Sequence, residues 1–239
     1  FKVRSTSPVA ATTAVLGPES SMSVKNWHGA TVRTGPFDDQ NGLFFQYDGQ
    51  RMAVAKRSST FQLAGTIAVD TDSNTVVGTN TRFADQLKVG DNVVIRGMSH
   101  TVTSITDQQN LTVAPDFRGA VNVSGAKMAL TQDEVIPQEE WNLDKLDGNG
   151  PSGYNLDPTK MQMIGIQYTW YAAGFIEFML RGSDGKFVIF HRIRNSNNRT
   201  EAYMRTANLP VRYDVKNEGA RDALRLDIGA GDTTLELFN

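Results

Sequence analysis

The sequence predicts an all-β protein: a β-sandwich, jelly-roll-like, that carries an inserted small β-barrel-like module. Three observations predict it. Short strand-like runs recur along the 239 residues, with Gly, Asn, Asp and Pro between them. No long stretch shows the 3.6-residue apolar period of an amphipathic helix. Residues 61–130 also differ in texture from their flanks: they hold no Trp and no Tyr, whereas all 3 Trp and all 6 Tyr lie outside them.

The hairpins are read from their turns. Gly42-Leu43-Phe44-Phe45-Gln46-Tyr47 reads as a strand, Asp48-Gly49 as its turn, and Arg51 to Arg57 as the return strand. Asp and Gly tolerate positive φ, which a tight hairpin requires. The same logic reads Thr169 to Leu180 as one strand, with a bend or bulge at Gly174, a turn at Ser183-Asp184-Gly185 and a return over Lys186 to His191. In that reading Tyr168 and Trp170 share one face and pack in the sandwich core. Short helical turns fit Pro137-Gln138-Glu139-Glu140-Trp141 and Arg82 to Leu87.

Residues 61–130 parse into strands at Gly65 to Asp70, Thr75 to Gly78, Asn92 to Arg96, Met98 to Ile105 and Asn110 to Val113. The expected organisation is therefore a discontinuous aromatic-rich sandwich, residues 1–60 plus 131–230, with a Thr/Val-rich module, 61–130, inserted at a hairpin tip. Loop tips are where insertions are tolerated. Gly231-Asp232-Thr233-Thr234-Leu235-Glu236-Leu237 reads as a turn followed by a strand. Residues 231–239 are expected to open a further module, and the natural chain is expected to extend beyond both ends.

Composition excludes several chemistries. Without cysteine there are no disulfides, thiolate metal sites or cysteine nucleophiles. The histidines are His28, His100 and His191, too few for a His-rich metal centre. The formal net charge of −2 is not that of a protein that coats nucleic acid. No run approaches the ~18 apolar residues of a membrane-spanning helix, so no membrane insertion is expected. The opening stretch, Ser5-Thr6-Ser7-Pro8 and then Ala10 to Val15, has the pattern of neither a signal nor a transit peptide.

Motifs in the middle of the chain point to a family. Gly65-Thr66-Ile67-Ala68-Val69-Asp70, Thr75-Val76-Val77-Gly78-Thr79-Asn80-Thr81-Arg82-Phe83, Leu87-Lys88-Val89-Gly90-Asp91-Asn92-Val93-Val94-Ile95 and Asn110-Leu111-Thr112-Val113-Ala114-Pro115-Asp116-Phe117 together resemble a small β module that recurs in structural proteins of tailed phages. The flanks resemble phage virion proteins too: Gln40 to Gly49, Trp141 to Gly148, Pro151-Ser152-Gly153, Gln167 to Tyr171 and Asn208 to Tyr213. The resemblance covers roughly residues 25–217. It implies a virion component of the neck, tail, baseplate or fibre type. It implies no catalytic motif and no cofactor. The partners it implies are other virion proteins, including copies of this chain in a symmetric assembly.

Candidate sites are weaker signals. Asp144, Asp147, Asn149 and Asp157 could supply oxygens to a calcium ion, but the EF-hand spacing and closing Glu are absent, and a Gly/Asp/Pro loop has the same composition. Glu139 and Glu140 beside Trp141 suggest a glycosidase acid with a stacking aromatic, yet that chemistry needs two carboxylates roughly 5–10 Å apart across a cleft. Adjacent residues cannot supply them, and Glu177 would have to be the second. The histidines sit in no nucleophile motif. Gly148, Gly150 and Gly153 lack the strand, helix and Lys-Ser/Thr of a phosphate loop. No catalytic, cofactor or metal residue is therefore assigned.

Surfaces carry more. Trp27, Trp141, Trp170 and Tyr171 are the candidate glycan or interface aromatics, and a host-surface glycan is the alternative partner. Residues 181–225 hold ten Lys/Arg against five Asp/Glu, while 132–157 hold seven Asp/Glu against one Lys. Within the basic stretch, Arg192, Arg194, Arg199, Arg205 and Arg212 are the candidate interface residues. Complementary charge of this kind fixes register and partner choice in assemblies.

Overall fold

The computed structural model describes residues 2–5, 11–15 and 30–217, apart from 49, 159, 161, 183 and 207. Sixteen strands follow in chain order: β1 (Lys2–Ser5), β2 (Ala11–Val15), β3 (Ala30–Pro36), β4 (Gly42–Tyr47), β5 (Met52–Gln62), β6 (Thr66–Val69), β7 (Ser73–Thr79), β8 (Asn92–Ile95), β9 (Met98–Ile105), β10 (Asn110–Phe117), β11 (Val123–Ala126), β12 (Met128–Pro137), β13 (Ile164–Thr169), β14 (Phe175–Arg181), β15 (Phe187–Arg194) and β16 (Val211–Asn217). One α-helical turn, α1 (Phe83–Gln86), and one 3-10 turn, Gln138–Glu140, stand where the sequence places helical turns.

The strands form two antiparallel sheets. One has the order β1-β2-β13-β14-β15; the other runs β11-β6-β7-β10-β9-β8-β12-β5-β4-β3-β16. The meander β3-β4-β5 of the large sheet packs face to face on the meander β13-β14-β15. Alternation decides which side chains meet. Leu43 and Phe45 of β4, Ile166 and Tyr168 of β13, and Ile176, Phe178 and Leu180 of β14 all enter one buried core. Phe45 meets Phe178 edge to face at 5.6 Å, and Trp141 packs on Phe190 at 4.1 Å. The alternate phase of β4 faces the other side of the large sheet, where Phe44 joins Phe37 and Ala55 in a small buried cluster. There Arg33 stacks over Phe44, and Arg57 and Arg212 over Phe37, with guanidinium-to-centroid distances of 5.6, 5.9 and 5.3 Å. These arginines close what would otherwise be an exposed apolar patch.

A second core lies within residues 63–130 and includes Ile67, Val76, Phe83, Val93, Ile95, Leu111, Val113 and Phe117. All its strands turn one face to this core, so the sheet must coil around it. It does not close: β11 pairs with β6 and with no further strand among the described residues, and the expected barrel is an open coil instead. The Thr-rich composition belongs to the outer face, where Thr103, Ser104 and Thr112 form a hydroxyl ladder with 2.7 Å contacts. The β8–β9 hairpin turns through Arg96 and Gly97 at φ 49° and 83°, the paired positive φ of a two-residue turn. The long ribbon β5–β12 joins the two cores, pairing from Ala53–Pro137 to Gln62–Ala129.

Strand β15 lies at the rim of the five-stranded sheet, and its unpaired backbone is covered by residues 142–144. Leu143 N–H and Asp144 N–H donate to the Phe190 carbonyl at 3.1 and 3.0 Å. The Asn142 side chain acts as a strand residue would: its amide N donates to the Arg192 carbonyl at 2.8 Å, and its carbonyl O accepts from Arg192 N–H at 3.0 Å. Asn142→Ala removes both bonds and is expected to lower the unfolding free energy by about 1–2 kcal/mol. Urea titration checks this; an unchanged midpoint would show that water replaces the amide at no cost.

Candidate functional site

Three regions bring together the side chains that the sequence singles out. The first is the tip of the β13–β14 hairpin. The chain leaves strand geometry after Thr169 and re-enters it at Phe175, so residues 170–174 are a turn. The single strand over Thr169 to Leu180 is thereby corrected: Ala172-Ala173-Gly174 are small residues that fit a tight turn, and Ala172 adopts φ 53°. The turn is braced on every side. Thr169 Oγ1 accepts from Gly174 N–H at 3.0 Å, and its carbonyl accepts from Ala172 N–H at 3.0 Å and from the Tyr203 hydroxyl at 2.6 Å. Tyr203 N–H donates to Ala172, and Asn195 N–H to Gly174, both at 2.9 Å. Burial pushes the Tyr203 phenol up to about 12, against the smaller opposing pull of its bonds to Thr169. On this rigid tip Trp170 is 48% and Tyr171 68% exposed. Trp170 therefore does not share the core with Tyr168, contrary to the sequence reading. Trp141, by contrast, is 3% exposed and belongs to the core. Trp27 lies outside the described residues.

The second region is a cleft of about 930 Å³ beside the 63–130 segment, walled by α1 and residues 86–91, by the β5–β12 ribbon and by residues 195–203. Lys56, nearly buried, sits in it against Glu134 at 2.5 Å, and Arg199 approaches the same carboxylate at 3.7 Å. Phe61 is an exposed aromatic on its wall. No local motif announces this cleft, because its walls come from segments far apart in the chain.

The third is the loop that suggested calcium. Asp144 is buried, and its two oxygens accept N–H groups from Leu146 and Ser152, each at 2.8 Å. Burial alone would raise this carboxyl; the bonds from Ser152 and Leu146 outweigh it and hold the group below the usual range. Asp147 accepts from Asn149 N–H, and Asp157 pairs with Lys160. Among the described residues no group of three or more His, Asp or Glu side chains could hold a metal ion.

The carboxylates do not converge. Glu139 sits on the 3-10 turn against Arg51 at 3.4 Å, Glu140 is exposed beside it, and Glu177 is buried on the outer face of β14. Arg192, the cross-strand neighbour of Glu177, donates Nε and Nη2 to its Oε1 at 2.7 and 2.5 Å. Of the candidate basic residues, Arg192 is thus engaged by Glu177, Arg199 by Glu134, and Arg212 by Asp39 at 2.6 Å; Arg194 and Arg205 are exposed.

His28 lies outside the described residues. His100 is buried, and its Nδ1–H donates to the Pro115 carbonyl at 2.7 Å. His191 is buried too, and its Nδ1 accepts from Asn142 N–H at 3.2 Å, which fixes the neutral ring. Burial lowers its pKa from 6.5, against a smaller upward pull from Glu134. Because the folded value is depressed, its contribution is complete above the unfolded pKa of about 6.5 and falls as pH drops below it. His191→Gln is expected to flatten the loss of stability as pH falls below about 6.5; unfolding curves at a series of pH values on both sides of that point check it, and equal slopes in both proteins would contradict it.

No protein-family model matches the chain, and no curated protein matches it. Among solved structures the chain is similar to phage phi92 endosialidase, at 11% identity and a TM-score of 0.20, over 66% of this chain. The chain spans 29% of the length of that protein.

Proposed function

We propose that this chain is a non-enzymatic structural component of a tailed-phage virion, of the neck, tail, baseplate or fibre type, acting through protein–protein assembly surfaces. In this reading residues 1–60 plus 131–230 form the sandwich domain and 61–130 an inserted module, each with a core of its own. The motifs of 65–117 and their flanks support the family. The observation that carries the role is where the reactive side chains stand. Glu177, Glu139, Asp144 and His191 are engaged by Arg192, Arg51, main-chain N–H groups and Asn142. What faces solvent instead is aromatic at the β13–β14 tip and charged at both ends of the sandwich.

A second reading, a carbohydrate- or receptor-binding module of a tail appendage, is favoured by the adjacent exposed rings of Trp170 and Tyr171. The two are separated by quantitative mass spectrometry of purified particles joined to binding assays on immobilised host-surface glycans. A structural component is present at a fixed copy number, and its glycan binding, if any, is unaffected by Trp170→Ala. Absence from particles overturns both readings. Glycan binding lost with Trp170 would establish the second.

A further inference from the structure

The sequence holds two Asn-Gly pairs, Asn41-Gly42 and Asn149-Gly150. Such a pair can modify itself without an enzyme. The main-chain N of the glycine attacks the side-chain carbonyl carbon of the asparagine, and glycine permits this because no Cβ blocks the approach. The fold treats the two pairs in opposite ways.

At 41–42 the reacting groups are engaged. Asn41 is 2% exposed, and its Oδ1 accepts from Arg205 N–H at 3.0 Å and from the Ser59 N–H and hydroxyl, both at 3.4 Å. Gly42 stands in β4, paired with Arg57 of β5.

At 149–150 the same groups are open. Asn149 is exposed, and its main-chain N–H donates to Asp147 Oδ1 at 2.9 Å. Its side-chain amide has no hydrogen-bond partner among the described residues, and neither has the Gly150 N–H; the Gly150 carbonyl alone is held, by Gly153 N–H at 3.0 Å. The neighbouring Asp147-Gly148 pair differs on this point, since Gly148 N–H donates to the Tyr154 carbonyl at 3.0 Å. Nor does the fold tolerate a bulkier residue than Gly150. A Cβ there would lie 2.0 Å from Asp144 Oδ1, and Asp144 is buried with its oxygens fixed by Leu146 and Ser152. The carboxylate that pins the loop thus imposes the glycine that opens Asn149 to attack.

We propose that Asn149 is a site of spontaneous deamidation and isoaspartate formation. The Gly150 N, on losing its proton, bonds to Asn149 Cγ. The Cγ–Nδ2 bond breaks, and the amide nitrogen leaves as ammonia, carrying that proton away. Water then opens the cyclic imide at either carbonyl. Opening at Cγ gives aspartate; opening at the main-chain carbonyl gives isoaspartate, in which the chain runs through the former side chain. One water is consumed, one ammonia is released, and nothing is oxidised or reduced. Either product adds a carboxylate near Asp147, within the acidic stretch 132–157. Isoaspartate also adds a methylene to the main chain of a loop closed by the Gly148–Tyr154 and Gly153–Gly150 bonds. The modification stands whether or not the chain assembles; in an assembly it changes the charge of one surface with age.

The test uses the full wild-type chain, one portion folded and one in guanidinium chloride, both held in mildly alkaline buffer. Peptide mass mapping follows the two Asn-Gly peptides with time, and isoaspartyl methyltransferase labelling counts isoaspartate. In the folded chain the peptide with Asn149 should gain one mass unit and carry isoaspartate, faster as pH rises, because Gly150 N–H must lose its proton. Asn41 must first be released from its bonds by local opening, so it should react at least about tenfold more slowly. In denaturant the two rates should converge. Asn149→Gln should remove the signal at 149, and the exposed position should leave the unfolding midpoint unchanged. Three results would overturn the inference: a folded chain that stays intact at 149 while the denatured chain reacts there, equal rates at 41 and 149 in the folded chain, or no reaction at 149 in either state.

Discussion

Trp141→Ala is expected to lower the unfolding free energy by about 3–5 kcal/mol, and Trp170→Ala by no more than about 0.5 kcal/mol. The contrast follows from where two similar side chains end up. Trp141 lies against Phe190 in the sandwich core, and its indole N–H donates to the Ile136 carbonyl at 3.2 Å. Truncation leaves a cavity between the sheets, along with an acceptor without its donor. Trp170 is 48% exposed, and the bonds that hold its turn run through Thr169, Tyr203 and Asn195 rather than through its ring. Denaturant unfolding of the two variants decides it. Comparable losses at both positions would mean that the tip ring packs against something in solution, and equal small losses would mean that the 141 site collapses freely.

Glu177→Ala is expected to cost about 2–3 kcal/mol. Glu177 is nearly inaccessible, and both of its bonds to Arg192 are charge-assisted, a class that contributes about 1.5–3 kcal/mol each. Arg192 keeps one third of its side chain in water, which softens the penalty of leaving it unpaired. It also lies over the Phe175 ring at 5.8 Å, a contact that survives the change. Replacing Arg192 with Ala as well should cost clearly less than the sum of the two single changes, because one pair is removed once. Additive single effects in a thermodynamic cycle would show that the pair carries no coupling, and would reopen Glu177 to another role.

Much of the fold was legible because its signals are local. The hairpin Gly42–Tyr47, the helical turns near 83 and 138, and the strand Met98–Ile105 follow from alternation and turn residues over a few positions. Strand β11 was missed. Val123–Ala126 is short, carries Gly125 at φ 65°, and holds its place through a bulged pairing with β6 that no local pattern encodes.

The tip was misread for a related reason. Tyr168-Thr169-Trp170-Tyr171 has the aromatic and β-branched content of a strand, and only the small residues after it indicate the turn. The three-segment cleft and the strand-like use of Asn142 depend on contacts between residues about 50 or more positions apart. The basic stretch was legible as composition but not as role. Of its five candidate arginines, Arg192 meets the cross-strand carboxylate of Glu177, Arg199 meets Glu134, Arg212 meets Asp39 and covers Phe37, and Arg194 and Arg205 stand exposed, a division that no sequence neighbour encodes.

The most direct test is a reconstruction of an intact tailed-phage particle in which this chain is traced with its neighbours. The assembly reading predicts that copies occupy defined, symmetric positions, with contacts that each bury on the order of 1,000 Å² or more, and that the Trp170–Tyr171 tip lies in a protein contact. A chain missing from the particle, or one placed there with its tip and both charged ends facing solvent, would contradict it.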